Sequence, residues 1–412
     1  MDRREFLKLT AAGSILGISS VFKSCAQKTK PNVLYISMED LSPLLGCYGH
    51  DIVKSPNIDA FARESVLLED CHCQVALCTP SRTSILTGIR PTTSGIVKID
   101  DDWQEILPEA VSLPRHFRDN GYFTSCVGKI YDPRCGGMDN AWDRMEEEWG
   151  VADNQKTIPA LEEAAGLDKP FFLAIGFKQV HDPWTSSQES LSLYDLAEIK
   201  PLGSGRKYDG KLRTEKEVRE LIRKYYAEIT DVDRLIGEVL DKASEIGLFE
   251  NTIVLVGAMD HGYSLGEHGH WGKGNNVDTE TQVPLLIRIP ANPENGKKTA
   301  GLTELVDIYP TLIDYCNLPA PPQKLEGYSM RKLLFEPERN WKKAVFSVRA
   351  YHPQVRGVKT KLFTYIQSPN EEDKLFDRIN DPQCSQNIAA DNPEIVGKMR
   401  KVLKRGWENA KP

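Results

Sequence analysis

One cysteine has an unusual setting, in "ALCTPSRTSILTGIRP" (residues 76–91). Pro80 suits the first turn of a helix and Gly88 suits its end. Cys78 therefore falls at a helix start, where backbone N–H groups and the dipole favour anions. Arg82 follows about one turn later and offers a planar fork to an oxyanion. A thiol so placed can be a buried apolar side chain, a metal ligand, half of a disulfide or a catalytic nucleophile. A purely structural cysteine needs neither neighbour.

Other side chains able to do chemistry follow apolar runs of strand length. "NVLYISM" (32–38) leads into Glu39 and Asp40, and "FTSCVG" (123–128) into Lys129. "PFFLAIGF" (170–177) is soon followed by Lys178 and His181, and "TIVLVGAM" (252–259) leads into Asp260 and His261. Each has a plainer reading alone. Glu39-Asp40 can be a helix cap or a solvated loop, Asp260-His261 a structural pair, and Lys273 a solvated charge. His268 and His270 in "GEHGHW" fit either transition-metal ligands or a loop lining a pocket.

These runs need a frame that brings their ends together. Continuous apolar strands alternating with helices predict a parallel sheet covered on both faces. Helices are expected over 56–65, 112–120 and 216–247; in the last, Ile222, Tyr225, Tyr226, Ile229, Val232, Ile236 and Val239 keep the helical period. Ligands of such sheets sit beyond the carboxyl ends of the strands, so the four polar ends should meet in one crevice. The fold expected is α/β, a large mixed and mostly parallel sheet between helices, with a smaller C-terminal α+β subdomain. Residues 291–302 read as a loop and "LPAPPQ" (318–323) as a connection. "AVFSVRA", "RGVKTKLFTYI" and "KLFDRIND" then read as short strands before a closing helix. The domain plan is 1–30 an export signal, 31–322 a catalytic domain and 323–412 the C-terminal subdomain.

The chain has 412 residues, 40% hydrophobic and 27% charged, as in ordinary globular proteins. Its net charge of -7, without a long basic run, argues against nucleic-acid binding. The start, "MDRREFLKLTAAGSILGISSVFKSCAQ", has a charged head and an apolar run too short to span a bilayer comfortably. It reads as a signal of twin-arginine type carried by Arg3 and Arg4, with Cys25 as a candidate lipid-anchoring cysteine, although Lys23 departs from the usual apolar approach. The expected location is therefore outside the cytosol, periplasmic or anchored to a membrane. Nine cysteines are sparse for a disulfide scaffold of this length. "CHC" at 71–73 lacks the paired spacing of a structural zinc site.

Cys78-Thr79-Pro80-Ser81-Arg82, with Leu86-Thr87-Gly88, resembles the signature of the sulfatase family, in the alkaline-phosphatase superfamily. "SPNIDAFARES", "FKQVHDPW", "DHGYSLGEHGHWGKGNN" and "KLFDRINDPQCSQNIA" extend the resemblance over about residues 31–390, and it is greatest to the iduronate-2-sulfatase branch. The resemblance implies that a separate maturation enzyme oxidises Cys78 to Cα-formylglycine. The hydrated aldehyde then attacks sulfur with one hydroxyl and expels sulfate with the other. It further implies a calcium site at Asp40, Asp260 and His261, with Glu39 where the family usually has aspartate and the modified Cys78 completing the sphere. Oxygen-rich ligands suit Ca²⁺, which acts as a Lewis acid on sulfate. By the same resemblance Arg82 and Lys129 hold the formylglycine hydroxyls and sulfate, Lys273 binds sulfate, and His181 protonates or steadies the leaving oxygen. His268 and His270 belong to the substrate-contacting loop.

Two departures stand out: Glu39 adds a methylene, and Asp132 stands where the related branch has a histidine. The implied activity is removal of O-sulfate from a sulfated carbohydrate, acting from the end on a terminal 2-O-sulfated uronate of a glycosaminoglycan-type oligosaccharide. A phosphodiesterase or phosphonate hydrolase of the same superfamily and a non-catalytic sulfoglycan-binding lipoprotein are the alternatives.

Overall fold

The computed structural model describes residues 30–132, 134, 140–146 and 153–412. The expected export signal, with Arg3, Arg4 and Cys25, lies outside them. Residues 31–412 form one compact unit.

Its centre is a mixed sheet of β1 (Asn32–Met38), β2 (Val66–His72), β3 (Phe123–Gly128), β4 (Arg144–Glu146), β5 (Phe171–Phe177), β6 (Thr252–Ala258), β7 (Gln282–Arg288), β8 (Lys298–Thr299) and β9 (Thr303–Glu304). The spatial order is β8-β2-β7-β6-β1-β5-β3-β4, with β9 also on β2. β7 is antiparallel to β2 and β6, and the other pairs are parallel. Every residue of β5 and β6 is buried, which is why both read as unbroken apolar runs. Because β3, β5, β1 and β6 are parallel neighbours, their polar ends emerge along one edge.

The longest helix, Glu215–Glu245, starts with a capping box between Thr214 and Glu217 and buries the predicted apolar stripe. The other two expected helices form over Pro56–Ala62 and Leu113–Asp119. Residues 291–302 are not all loop, since Lys298–Thr299 pairs with β2 at the sheet edge. Two-residue strands carry no readable period.

The C-terminal strands Val345–Arg349, His352–Lys359, Phe363–Gln367 and Lys374–Asp377 make an antiparallel sheet in chain order. The helix Pro393–Arg405 follows and contributes Val396 and Met399 to a second core with Val358, Tyr365 and Leu375. Arg378 ties this sheet to the main body through Asp70 at 2.6 Å and Asp278 at 2.8 Å. Nearer the edge where the polar strand ends emerge, Ala350 N donates to Gly274 O at 3.0 Å.

Candidate active site

Cys78 opens the helix Cys78–Thr87, all of whose residues are buried. Gly88 ends it in the left-handed region at φ 69°, the conformation that favours glycine. Thr79 Oγ1 donates to Ile99 O at 2.6 Å, and Ser81 Oγ to Asp260 O, fixing the helix start against the end of β6.

Around Cys78 the strand ends meet as the sheet order requires. Cys78 Sγ lies 3.5 Å from His261 Nε2 and 3.5 Å from Lys273 Nζ. Donor atoms of Asp40, Cys78, Asp260 and His261 all lie within 4.8 Å of one another. His261 Nδ1 is 3.0 Å from Gly262 O; a carbonyl only accepts, so Nδ1 donates there and Nε2 faces the cluster. His261 N also donates to Asp260 Oδ1 at 2.7 Å.

Cations surround these acids. Lys273 Nζ is 2.6 Å from Asp40 Oδ1, and Lys129 Nζ is 2.6 Å from Glu39 Oε1. Arg82 Nη2 lies 3.2 Å from Asp260 and 3.4 Å from Glu39, while its Nη1 donates to Lys129 O and Ile130 O at 2.9 and 3.0 Å. Arg82 thus binds the helix to the ends of β1, β3 and β6. Lys129 also lies 3.3 Å from Asp132, whose carboxylate is gripped by Arg134 at 2.7 Å.

Burial works against the charges of Asp260, Glu39, Lys129, Lys273 and Asp132, but their pairing outweighs it. Asp260 and Glu39 are held below the ordinary carboxylate range by cationic neighbours, and Lys129 and Lys273 are held above the ordinary lysine value by carboxylates. For Asp132, burial raises the pKa, yet Arg134 and Lys129 bring it down to about 2. Burial pushes the unmodified Cys78 thiol up to about 12, against a lowering pull from Lys273.

His181 joins the same edge. Glu39 N donates to Gln179 O at 3.0 Å and Val180 N to Glu39 O at 2.8 Å, which laces the loop after β5 to the end of β1. Ring and carboxylate atoms of His181, Asp182 and Asp40 come within 4.8 Å of one another. His181 Nδ1 is 2.5 Å from Asp182 O, leaving Nε2 for an incoming group. Lys178 is half-buried in this loop, and its carbonyl accepts from His181 N at 2.9 Å.

Two predicted groups are placed elsewhere. Glu39 is outside the four-residue convergence and turns toward Lys129 and Arg82. His268 and His270 line a different cavity, with His268 against the Phe376 ring at 5.7 Å and His270 Nε2 3.6 Å from Glu280. Sequence reasoning missed Tyr225, whose hydroxyl donates to Asp40 O at 2.7 Å and accepts from Ser42 N at 3.2 Å. This grip supports Asp40 at φ 53°, and the helical stripe had marked Tyr225 only as core. Arg134 was also missed, and nothing in the pattern around it signals its role.

The donor set fits a hard divalent cation. Within the set, Asp40 Oδ2 is buried and accepts no hydrogen bond; Glu39 Oε2, outside the convergence, is buried and unbonded as well. Such oxygens are costly unless a cation or donor reaches them. Moreover, the carboxylates Glu39, Asp40, Asp132 and Asp260 already match the cations Arg82, Lys129, Arg134 and Lys273. A divalent ion would restore the positive field an anionic substrate needs.

A buried, charge-matched cluster thus lies at the carboxyl edge of a mostly parallel sheet of alkaline-phosphatase-like fold, under a helix-start cysteine. The sulfatase family profile matches residues 31–318, and that of the N-sulphoglucosamine sulphohydrolase C-terminal region matches 266–409. The chain belongs to the sulfatase family. It is 28% identical to iduronate 2-sulfatase of Homo sapiens, over 83% of this chain and 79% of that protein. It is 25% identical to endo-4-O-sulfatase of Bacteroides thetaiotaomicron, over 88% and 87%. A structure solved in complex with its substrate, D-glucosamine-2-N,6-O-disulfate, superposes with a TM-score of 0.78 at 20% identity, over 92% and 97% of the chains. The phosphonate monoester hydrolase of Agrobacterium radiobacter has the same fold, with a TM-score of 0.76 at 20% identity over 91% and 95%.

Proposed function

We propose that this protein removes O-sulfate from a glycosaminoglycan-type carbohydrate, acting from the chain end on a terminal 2-O-sulfated uronate. The observation that carries the reading is the convergence of Asp40, Cys78, Asp260 and His261 beside Lys129 and Lys273 in a member of the sulfatase family. Similarity to iduronate 2-sulfatase supports the choice of uronate.

Asp40, Asp260 and His261 would hold Ca²⁺ with the oxidised side chain of residue 78. In that state the ion supplies Lewis acidity toward sulfate oxygens, and the hydrated aldehyde supplies an oxygen nucleophile and its own route of release. Lys273, one contact from residue 78, orients the sulfate and offsets its charge. Lys129 does so from the opposite carboxylate, Glu39. Arg82 is committed to Asp260, Glu39 and two carbonyls, so it fixes the site's geometry. His181 holds its Nδ1 proton on Asp182 O and uses Nε2, when protonated, to give a proton to the leaving sugar oxygen.

Maturation requires a separate formylglycine-generating enzyme. Export through the twin-arginine signal, with or without a lipid at Cys25, would place the chain where glycan fragments arrive. Mass spectrometry of the peptide bearing residue 78 tests the chemistry; an unmodified thiol in active enzyme would refute it. Aryl sulfate against bis-aryl phosphate and phosphonate esters tests the reaction, with faster phosphoester turnover favouring the phosphonate-hydrolase alternative. A panel of disaccharides differing in sulfate position tests the sugar, and preference for a 6-O-sulfated hexosamine would overturn the uronate assignment alone.

A further inference from the structure

The loop carrying Lys273 runs on into a cavity of about 200 Å³ between the main body and the C-terminal sheet. Asn276 and Glu280 form its buried floor, and Arg349, Glu371, Glu372 and Lys374 stand around it. Only Gly274 and Asn275 lie between Lys273 and Asn276, so the two are at most about 11 Å of extended chain apart. The contact from Ala350 N to Gly274 O ties the sheet to the loop between them. This cavity is therefore a near neighbour of the sulfate-binding lysine.

Its chemistry differs from that of the catalytic cluster. Glu280 is satisfied by Ser264 Oγ at 2.9 Å, Asn275 N at 2.6 Å and Asn275 Nδ2 at 3.1 Å. Asn276 is only 2% exposed; its Nδ2 donates to Val355 O at 3.1 Å, and its Oδ1 accepts nothing. The acids Glu280, Glu371 and Glu372 outnumber Arg349 and Lys374, and Arg349 is drawn to Glu371 at 3.9 Å. A second sulfate or carboxylate would meet like charge here, whereas hydroxyl or amino groups would find acceptors.

We propose that this cavity receives the sugar attached to the sulfated one, and selects a ring bearing hydroxyl or amino groups over one that is itself sulfated. The proposal rests on the sulfatase reading and adds a second specificity site to it. It also gives His268 and His270 a place beside the neighbouring sugar, away from the scissile sulfate.

The test compares aryl sulfate, which ends before the cavity, with disaccharides sharing one sulfated terminal uronate. Their second sugars are neutral, amino-bearing or sulfated. Wild-type enzyme should favour the neutral or amino ring at least tenfold in kcat/KM; preference for the sulfated ring would overturn the proposal. Ser368→Trp, a bulky change at the half-buried edge of the cavity, should raise KM for the favoured disaccharide at least tenfold and leave aryl sulfate turnover unchanged. An unchanged disaccharide KM would refute it. The exposed double change Glu371→Lys/Glu372→Lys should erase the discrimination against the sulfated ring, and discrimination that persists counts against the charge argument. Failure of wild-type enzyme to turn over aryl sulfate would instead overturn the sulfatase reading, and this proposal with it.

Discussion

Asp132→Asn isolates a single charge in the site. The Asp132 carboxylate is fully buried, with Arg134 Nε and Nη2 each at 2.7 Å and Lys129 Nζ at 3.3 Å. Burial alone would raise its pKa; Arg134 and Lys129 reverse this and take it from 3.8 to about 2. At about 1.4 kcal/mol per tenfold, that is about 2 kcal/mol of folding stability at neutral pH. Water screens the half-exposed Arg134, so the figure is a ceiling.

The sign follows from the depression. Stability from this group is present above the unfolded value near 3.8 and disappears as pH falls through the folded value near 2. Urea unfolding of wild type and Asp132→Asn, followed by tryptophan fluorescence, should show the variant weaker by ~1–2 kcal/mol at pH 7 and nearly as much weaker at pH 5. By pH 3 the gap should have closed by about half. A gap that stays constant from pH 7 to pH 3 would mean the amide acts through packing, not charge. Equal stability at pH 7 would remove the ion-pair argument altogether.

Cys78→Ala should abolish turnover while the protein remains folded, because one buried sulfur is lost from a helix start that accepts alanine; circular dichroism and an aryl sulfate assay check both halves. Calcium chelation should cut the rate by several orders of magnitude and re-addition should restore it, whereas full activity after chelation would exclude the metal role. Asp260→Ala should likewise cut the rate and also cost ~1.5–3 kcal/mol by removing one of the two carboxylates that pair with buried Arg82, read as a drop in the urea midpoint. Arg3→Lys with Arg4→Lys should leave folded protein in the cytosol, as fractionation would show, and normal export would point to the general secretory route. Glu39→Asp and Asp132→His should couple in kcat/KM by ~0.5–3 kcal/mol, and strictly additive effects would refute their meeting at Lys129.

The strand ends were legible because their strands are buried on both faces, so each apolar run stops where the chain leaves the sheet. The long helix was legible from its period, and Cys78 from Pro80 and Gly88. What sequence could not supply was partnership. Arg82 looked like a free fork for an oxyanion, but the fold commits it to two carboxylates and two carbonyls. His268 and His270 follow His261 closely, yet chain reversals at Gly266, Gly269 and Gly272, all with positive φ, turn them toward the C-terminal sheet. The two departures from the family pattern looked unrelated, 93 residues apart between Glu39 and Asp132. In space both reach Lys129 Nζ, Glu39 Oε1 at 2.6 Å and Asp132 Oδ2 at 3.3 Å. The extra methylene of Glu39 lets its carboxylate lean out of the convergence of Asp40, Cys78, Asp260 and His261 toward the lysine, and Asp132 gives that lysine a second anion where the related branch has a histidine. Only the second change alters charge: glutamate for aspartate keeps one negative charge and moves it, whereas aspartate for histidine adds one. With Arg134 on Asp132 and Arg82 on Glu39, each carboxylate beside Lys129 has a cation of its own, and Lys129 stays charged between them.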